Sequence, residues 1–394
     1  MFLLFAPNAR ADFEPTVEKG LEEQDRELEE GRHTHLGRGL IDIVLEPYDA
    51  LRERAKESLG LDWFVAYSYL YQHRSQGGNH KWTNNSELDA LFVWDLVEHG
   101  SFGKGSLTGM ASRVWEHDNG ATTAEVTKSA GTSFALSDSD QIEALRQFYW
   151  TQGTHDDRYQ INFGQIEVPT FIDDNSYANN DRDSFVAETW LKTTRSSINI
   201  FGLGAMASVQ PSDLFYLRGG FIDGNTNGEN PKWSTFKRGE YIYVGEIGFT
   251  PNIEGWGSGI YRISPYFADK AKTGKQGSGI SISFEQETPW DAALWLRGGV
   301  SDHRRNNFES FLGGGVVFTN PFGFDRDRIG LAFGWGRPDD SNSRDNTYLA
   351  ETYWRAQLTE RLEFGPDVQL HIKPAENQNR DIVAVGALRA MVRF

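Results

Sequence analysis

Two periods divide the chain. Between residues 40 and 60, apolar positions recur every three to four residues, at Val44, Tyr48, Leu51, Ala55 and Leu59. Pro47 stands near the start of this run and Gly60 at its end, so spacing and punctuation together predict an amphipathic helix. From Leu61 onward the period is two. Ile382, Ala384, Gly386, Leu388, Ala390, Val392 and Phe394 are all apolar or small, and Arg389 and Arg393 stand between them. Successive side chains of a strand point to opposite faces, so one face here is wholly apolar. The preceding segment repeats the pattern: Leu362, Phe364, Pro366, Val368, Leu370 and Ile372 alternate with Glu363, Asp367, Gln369, His371 and Lys373. Strands of the same kind are predicted at 349–358, 328–335, 294–301, 280–285 and 215–222. Weaker alternation runs through 61–71, 88–98, 104–115, 141–150, 158–168, 199–209, 241–250 and 258–268, and 185–194 is ambiguous.

Polar connections separate these runs. Those at 175–183, 223–232 and 336–346 are long, and that at 359–361 is short. Alternating long and short connections fit an up-and-down barrel with one loop-rich end. Residues 61–394 give about 21 residues per strand and connection for 16 strands and about 19 for 18, and both suit spans of roughly 10 residues. A soluble sandwich or propeller is the competing architecture. Against it, the polar faces carry charge in strand after strand, which an all-β core does not tolerate unpaired. Aromatics stand near strand ends (Trp335, Trp354, Phe364, Phe394), as an interfacial girdle requires. Phe394 also holds the apolar phase of the last strand, where a soluble terminus would usually fray. The expectation is an all-β transmembrane antiparallel barrel of about 16 strands over 61–394, with a short N-terminal helical extension.

Composition changes this picture in three places. Hydrophobic residues make up 38% and the mean hydropathy is -0.54. Read alone, these values describe a soluble protein, but in a membrane barrel only alternate residues meet lipid. No apolar run of 18 residues exists, so no membrane-spanning helix is expected. The 39 Lys and Arg face 56 Asp and Glu, a net charge of -17, which argues against nucleic acid as a partner. The absence of cysteine rules out disulfides, Cys-ligated metal and a thiol nucleophile. Residues 12–30 hold nine acidic and two basic residues, so 12–60 reads as an acidic, partly helical extension. The apolar run Met1–Ala6 precedes Ala9, Arg10 and Ala11, a small-x-small pattern, and 1–11 reads as a signal-peptide remnant whose basic region is missing.

Phe394 at the end of an alternating strand matches the C-terminal signature of bacterial outer-membrane proteins. Four segments go further: GQIEVPTFIDDNSYANNDRDSF at 164–185, GLGAMASVQPSDLFYLRGGFID at 202–223, TNPFGFDRDRIGLAFGWG at 319–336 and AETYWRAQLTERLEFGPDVQLHIKPA at 350–375. In order and content they resemble the carbohydrate-selective porin family, of the glucose-porin type, over roughly 60–394. The resemblance implies a 16-stranded barrel in the bacterial outer membrane that passes small neutral sugars. Its surroundings would be outer-membrane lipid and lipopolysaccharide, and both a monomer and a homotrimer stay open. The acidic stretch 12–30 departs from the family pattern.

Strand phase assigns the inward charges: Arg218, Glu246, Arg262, Glu285, Arg297, Arg328, Glu351, Arg355, Glu363, Asp367, Lys373, Arg389 and Arg393, eight positive and five negative. Opposed Arg and Glu across a narrow pore set up a transverse field and offer hydrogen bonds to hydroxyls, a path suited to an uncharged polyol. Tyr216, Trp295 and Tyr353 share this phase and can stack on the C–H face of a sugar ring. Any one of these charges could merely pair and hydrate the wall; the whole set argues for a channel. The polar loop at 173–183 could fold inward, which makes Asp173, Asp174, Asn179, Asn180, Asp181 and Arg182 constriction candidates.

Other chemistry is thin. Asp223–Gly228 copies half of a calcium loop, but the twelfth position is Ser234, so an EF-hand is excluded as such and no metal is expected. Gly202 and Gly204 mimic a dinucleotide fingerprint inside a strand, and no cofactor is expected. Hydrolase and metalloprotease motifs are absent, although a fold could still bring a Ser–His pair together. The expected function is passive, selective diffusion of small neutral carbohydrates. The alternatives are a general diffusion porin, a barrel enzyme acting on lipid or envelope material, and a structural or adhesive barrel without a channel.

Overall fold

The computed structural model describes residues 34–76, 81–100, 103–117, 143–178, 184–187, 189–190, 201–226, 231–269, 276–302, 308–338, 345–374, 377 and 379–394. The strands are β1 (Leu61–Arg74), β2 (Trp82–Gly100), β3 (Gly103–Glu116), β4 (Glu143–Gly153), β5 (Tyr159–Glu167), β6 (Phe201–Ser212), β7 (Phe215–Asp223) and β8 (Tyr241–Phe249). They continue as β9 (Asn252–Ile253), β10 (Gly257–Ala268), β11 (Gly277–Thr288), β12 (Ala292–Ser301), β13 (Phe308–Thr319), β14 (Arg328–Pro338), β15 (Thr347–Gln357), β16 (Leu362–Ile372) and β17 (Ile382–Arg393). β9 is a two-residue stub that pairs only with β10. The other sixteen form a continuous antiparallel sheet that β1 and β17 close, from Ala66 opposite Arg393 to Arg74 opposite Val385. Closure leaves no edge strand to be satisfied in lipid.

The predicted phases set which face is which. In β17 the buried positions are Val383, Val385, Ala387, Arg389 and Met391, while Ile382 and Leu388 are exposed outward. In β14, Leu331 and Phe333 point outward. An Arg moved to the lipid face would cost roughly 2–4 kcal/mol at mid-membrane, so a one-residue slip is strongly disfavoured. Lys373 is a correction. It lies just beyond β16 rather than on the inner wall, with φ 50° and ion pairs to Asp381 at 2.7 Å and Asp345 at 3.7 Å. Its hydrogen bond with Asp381 raises its pKa above the usual lysine value. The connection after β14 begins later than the sequence suggested, because Gly336 still belongs to that strand.

The turns at 154–158, 213–214, 289–291 and 358–361 share one end of the barrel, and the longer connections occupy the other. Helix α1 (Leu40–Leu59) follows the short-turn rim. Thr359 donates to Asp42 at 3.3 Å, Arg361 pairs with Asp49, and Arg52 and Lys56 reach Asp62 at 2.6 and 3.1 Å. The helix starts four residues earlier than its apolar spacing implied, and Pro47 is its eighth residue instead of a start signal. Without an N–H, Pro47 leaves the Ile43 carbonyl without its helical donor. Gly60 ends the helix as predicted, in the left-handed conformation (φ 65°), its N–H bonded to the Lys56 carbonyl at 3.0 Å.

Candidate functional site

After β5 the chain turns into the barrel. Its short 3-10 turn, Val168–Thr170, carries Pro169, and the described residues 168–178, 184–187 and 189–190 then lie against the inner wall. Of the ambiguous stretch at 185–194, Phe185–Ala187 and Trp190 belong to this inward segment, not to a wall strand, and 188 and 191–194 lie outside the described residues. Apolar side chains draw it in. Val168, Phe171 and Ile172 cluster with Tyr149, Met206, Ile222, Val244 and Tyr266. Phe185, Ala187 and Trp190 cluster with Trp295, Phe311 and Tyr353.

A segment without a ladder of its own brings N–H and C=O groups that must find partners. The charged wall supplies them by sign. Wall cations hold the carbonyls: Arg218 donates to Phe171 O at 3.1 Å and Arg389 to Ser184 O at 2.7 Å. Arg297 donates from one nitrogen to Ala178 O and Trp190 O, both at 2.6 Å. From another it reaches Asp173 O at 3.1 Å and the Asp173 carboxylate at 3.0 Å. One fully buried guanidinium thus ties both limbs of the segment, using a fork of donors that a lysine lacks. Wall carboxylates hold the N–H groups: Glu246 takes Asp173 N–H at 2.5 Å and Glu285 takes Ser176 N–H at 2.7 Å. Glu351 accepts from Val186 N–H, Ala187 N–H and the Trp190 indole. The Trp190 ring lies over two glycines of neighbouring strands. A Cβ on Gly313 would sit 2.5 Å from the indole, and one on Gly334 2.7 Å.

The remaining expected residues fall into two groups. Tyr216 donates to Glu246 at 2.8 Å and accepts from Arg262 at 3.1 Å, while Arg262 pairs with Glu285 at 2.9 Å. Tyr353 meets Phe185 edge-on at 4.9 Å, with Arg389 over its ring at 5.7 Å, and Asp367 is buried opposite it on β16. Nearer the short-turn end, Glu363 joins Arg393 at 2.8 Å and Arg355 at 3.6 Å. Trp295 is buried against Trp190 and Phe185. Asp173 and Asp174 are buried inside the barrel; Asn179, Asn180, Asp181 and Arg182 lie outside the described residues.

Sequence reading missed an arc of hydroxyl and amide side chains on β1 to β5: Ser68, Gln72, Asn85, Thr108, Ser112, Gln147, Thr151 and Asn162, all buried. Their strands alternate weakly because neutral polar residues give less contrast than charges. The arc also holds Glu87, paired with Arg146 at 2.7 Å, and Asp89, which accepts from Ser112. Ser68 Oγ, Gln72 Nε2, Gln147 Oε1 and Asn162 Oδ1 have no hydrogen-bond partner among the described residues. Inward Phe171, Phe185 and Trp190 were also missed; bulky apolar residues flanking a polar loop are the signal that would have found them.

The fold does bring a Ser–His pair together, Ser86 Oγ and His117 Nε2 at 2.7 Å. Ser86 is only 1% exposed, so its hydroxyl is shielded from any acyl substrate. No cluster of three metal-binding side chains occurs among the described residues. Asp223, in the partial calcium loop, accepts the Asn225 N–H at 2.9 Å in a local turn.

The barrel matches the high-pH structure of Pseudomonas putida OprB with a TM-score of 0.74, at 15% identity, over 88% of this chain and 97% of that one. The low-pH structure of that protein gives 0.57 at 14% identity, over 89% and 97%. At such identities the likeness concerns the fold. Porin AaxA of Chlamydia trachomatis (serovar D) is 26% identical over 304 residues, and the match takes in 74% of this chain and 64% of the relative's length. The family model described as carbohydrate-selective porin, OprB family, matches residues 109–284 and 266–394. Fold and family point to a channel in the bacterial outer membrane rather than to an enzyme. The overlapping matches run from 109 through the inward segment and the charged wall to 394, and the chain belongs to the carbohydrate-selective porin, OprB family.

Proposed function

We propose that the protein passes small neutral saccharides across the outer membrane by passive diffusion, with no energy coupling. One observation carries this reading: several of the inner charges are closed into opposite pairs. Arg262 faces Glu285 at 2.9 Å, Arg297 faces Asp173 at 3.0 Å, Arg393 faces Glu363 at 2.8 Å and Arg146 faces Glu87 at 2.7 Å. Ion-selective pores rely on rings of one sign. Paired charges offer no such ring, so an uncharged solute meets neither an attracting nor a repelling field of one sign. A sugar hydroxyl exchanges water for a wall partner of nearly equal strength, so affinity is weak, with a dissociation constant near millimolar, about -4 kcal/mol. Weak binding also lets the solute leave.

Liposome swelling tests the proposal. A hexose is expected to swell vesicles faster than a charged solute of similar size. Equal rates would make this a general diffusion pore, and no swelling would remove the channel reading.

A further inference from the structure

Helix α1 is docked the wrong way round for a soluble amphipathic helix. It meets the barrel with polar side chains, Asp42, Asp49, Arg52 and Lys56, through the ion pairs and hydrogen bond to Thr359, Arg361 and Asp62. Its apolar stripe is left out: Leu40 is 77% exposed, Val44 65% and Leu51 58%. These three, with Pro47, follow the i, i+4, i+7, i+11 spacing of one helical face. A third face carries exposed Glu46, Glu53 and Glu57.

The stripe is continuous with the lipid-facing surface of the barrel. Tyr48 packs edge-on against Trp63, with ring centres 6.1 Å apart. Trp94 on β2 donates its indole N–H to the Leu59 carbonyl at 3.0 Å. Just before the helix, His35 stacks on Phe324 at 3.7 Å and approaches Trp354 at 6.0 Å. Trp63, Trp94 and Trp354 all have the outward phase of their strands.

The same rim explains why a helix is needed there. Four other connections at the short-turn end carry exposed apolar residues, Leu214, Trp256, Trp290 and Phe322. The turn between β15 and β16 is Leu358, Thr359, Glu360 and Arg361, with no aromatic. Helix α1 begins at that turn and ends beside β1 and β2, so it covers a stretch of rim that starts from a turn without an aromatic.

We propose that α1 is an interfacial anchor, seated in the lipid leaflet at the short-turn end with Leu40, Val44 and Leu51 in the acyl-headgroup boundary. Three neighbours then meet three faces: barrel, lipid and water. This is the arrangement of a membrane-surface helix, here held to its barrel by ion pairs. The acidic face lies toward water, away from lipid phosphates.

The cysteine-free chain makes the test direct. Single cysteines at positions 40, 44, 46, 51, 53 and 57 of the full chain, each carrying a nitroxide, are reconstituted in phosphatidylethanolamine–phosphatidylglycerol vesicles. Accessibility to oxygen and to a water-soluble nickel chelate is compared at each position, and heat-dependent gel mobility confirms that each barrel is folded. Oxygen is expected to exceed nickel several-fold at 40, 44 and 51, with the order reversed at 46, 53 and 57. Nickel reaching 44 and 51 as readily as 53 would overturn the proposal. Exclusion of both reagents at 44 and 51 would overturn it as well, because a protein surface, from a second copy or from this chain, would then cover the stripe.

Discussion

The inner wall has two arcs built on different chemistry. The arc from β7 round to β17 carries Arg218, Glu246, Arg262, Glu285, Arg297, Glu351 and Arg389; the arc from β1 to β5 is mostly Ser, Thr, Asn and Gln. The charged arc grips the inward segment, with cations on carbonyls and anions on N–H groups. The neutral arc keeps polar atoms without protein partners. Charge inside this barrel therefore works first as backbone scaffolding. A buried charge is costly unless paired and hydrogen-bonded, and the segment's own peptide groups complete that pairing. Under the proposed function, selectivity for an uncharged solute would follow from charges that are already occupied.

Arg297→Ala should separate the arcs most strongly. It removes four contacts from both limbs of the segment and leaves the Asp173 carboxylate buried without its cation, a loss of about 3–5 kcal/mol. Single-channel conductance should rise and fluctuate as the segment leaves the wall. Unchanged, quiet conductance would mean the segment is held by its apolar contacts alone. Glu351→Gln should act in the same direction but less. A neutral amide accepts weaker hydrogen bonds and offers a single acceptor oxygen for three donors, so about 1–3 kcal/mol of anchoring is lost. Its conductance should fall between wild type and Arg297→Ala.

Gly334→Ala probes the same segment without touching a charge. The added methyl would lie 2.7 Å from the Trp190 indole, and overpacking of this kind costs about 1–3 kcal/mol. Trp190 is expected to tilt off its bed, with conductance noise similar to Glu351→Gln but ion selectivity unaltered. A change in selectivity equal to that of Glu351→Gln would show that displacement of the segment, rather than charge, sets selectivity.

The two arcs were not equally legible in the sequence. Arg389 between Leu388 and Ala390, or Arg297 between Leu296 and Gly298, announces its face because charge and hydrocarbon differ so sharply. Ser68 between Tyr67 and Tyr69 does not. The alternation gave the barrel but left 16 and 18 strands both open and missed the strand Phe308–Thr319; the count of 16 came from the family resemblance, and Gly60 marked the helix end. The contacts of Arg297 with Asp173 and Trp190 span more than a hundred residues and join side chains to peptide groups. Periodicity records the face a residue occupies, not what folds against that face. Lys373 shows the limit from the other side: it keeps the phase of β16 one residue beyond the strand's end, where the chain has already turned.

The smallest effect belongs to the neutral arc. Ser68→Ala and Gln72→Ala each remove a polar atom that has no protein partner, so neither should disturb the segment or the barrel. Both side chains are closed off from the lumen, at 0% and 2% exposure, so sugar block should stay within about twofold of wild type, less than the roughly fivefold loss of one ordinary solute hydrogen bond. Ion selectivity should also stay at the wild-type value, because no charge has changed. Unchanged block at unchanged selectivity is the signature that separates these positions from the charged arc. A several-fold weaker block would show instead that the solute reaches these buried atoms and that the neutral arc opens to it.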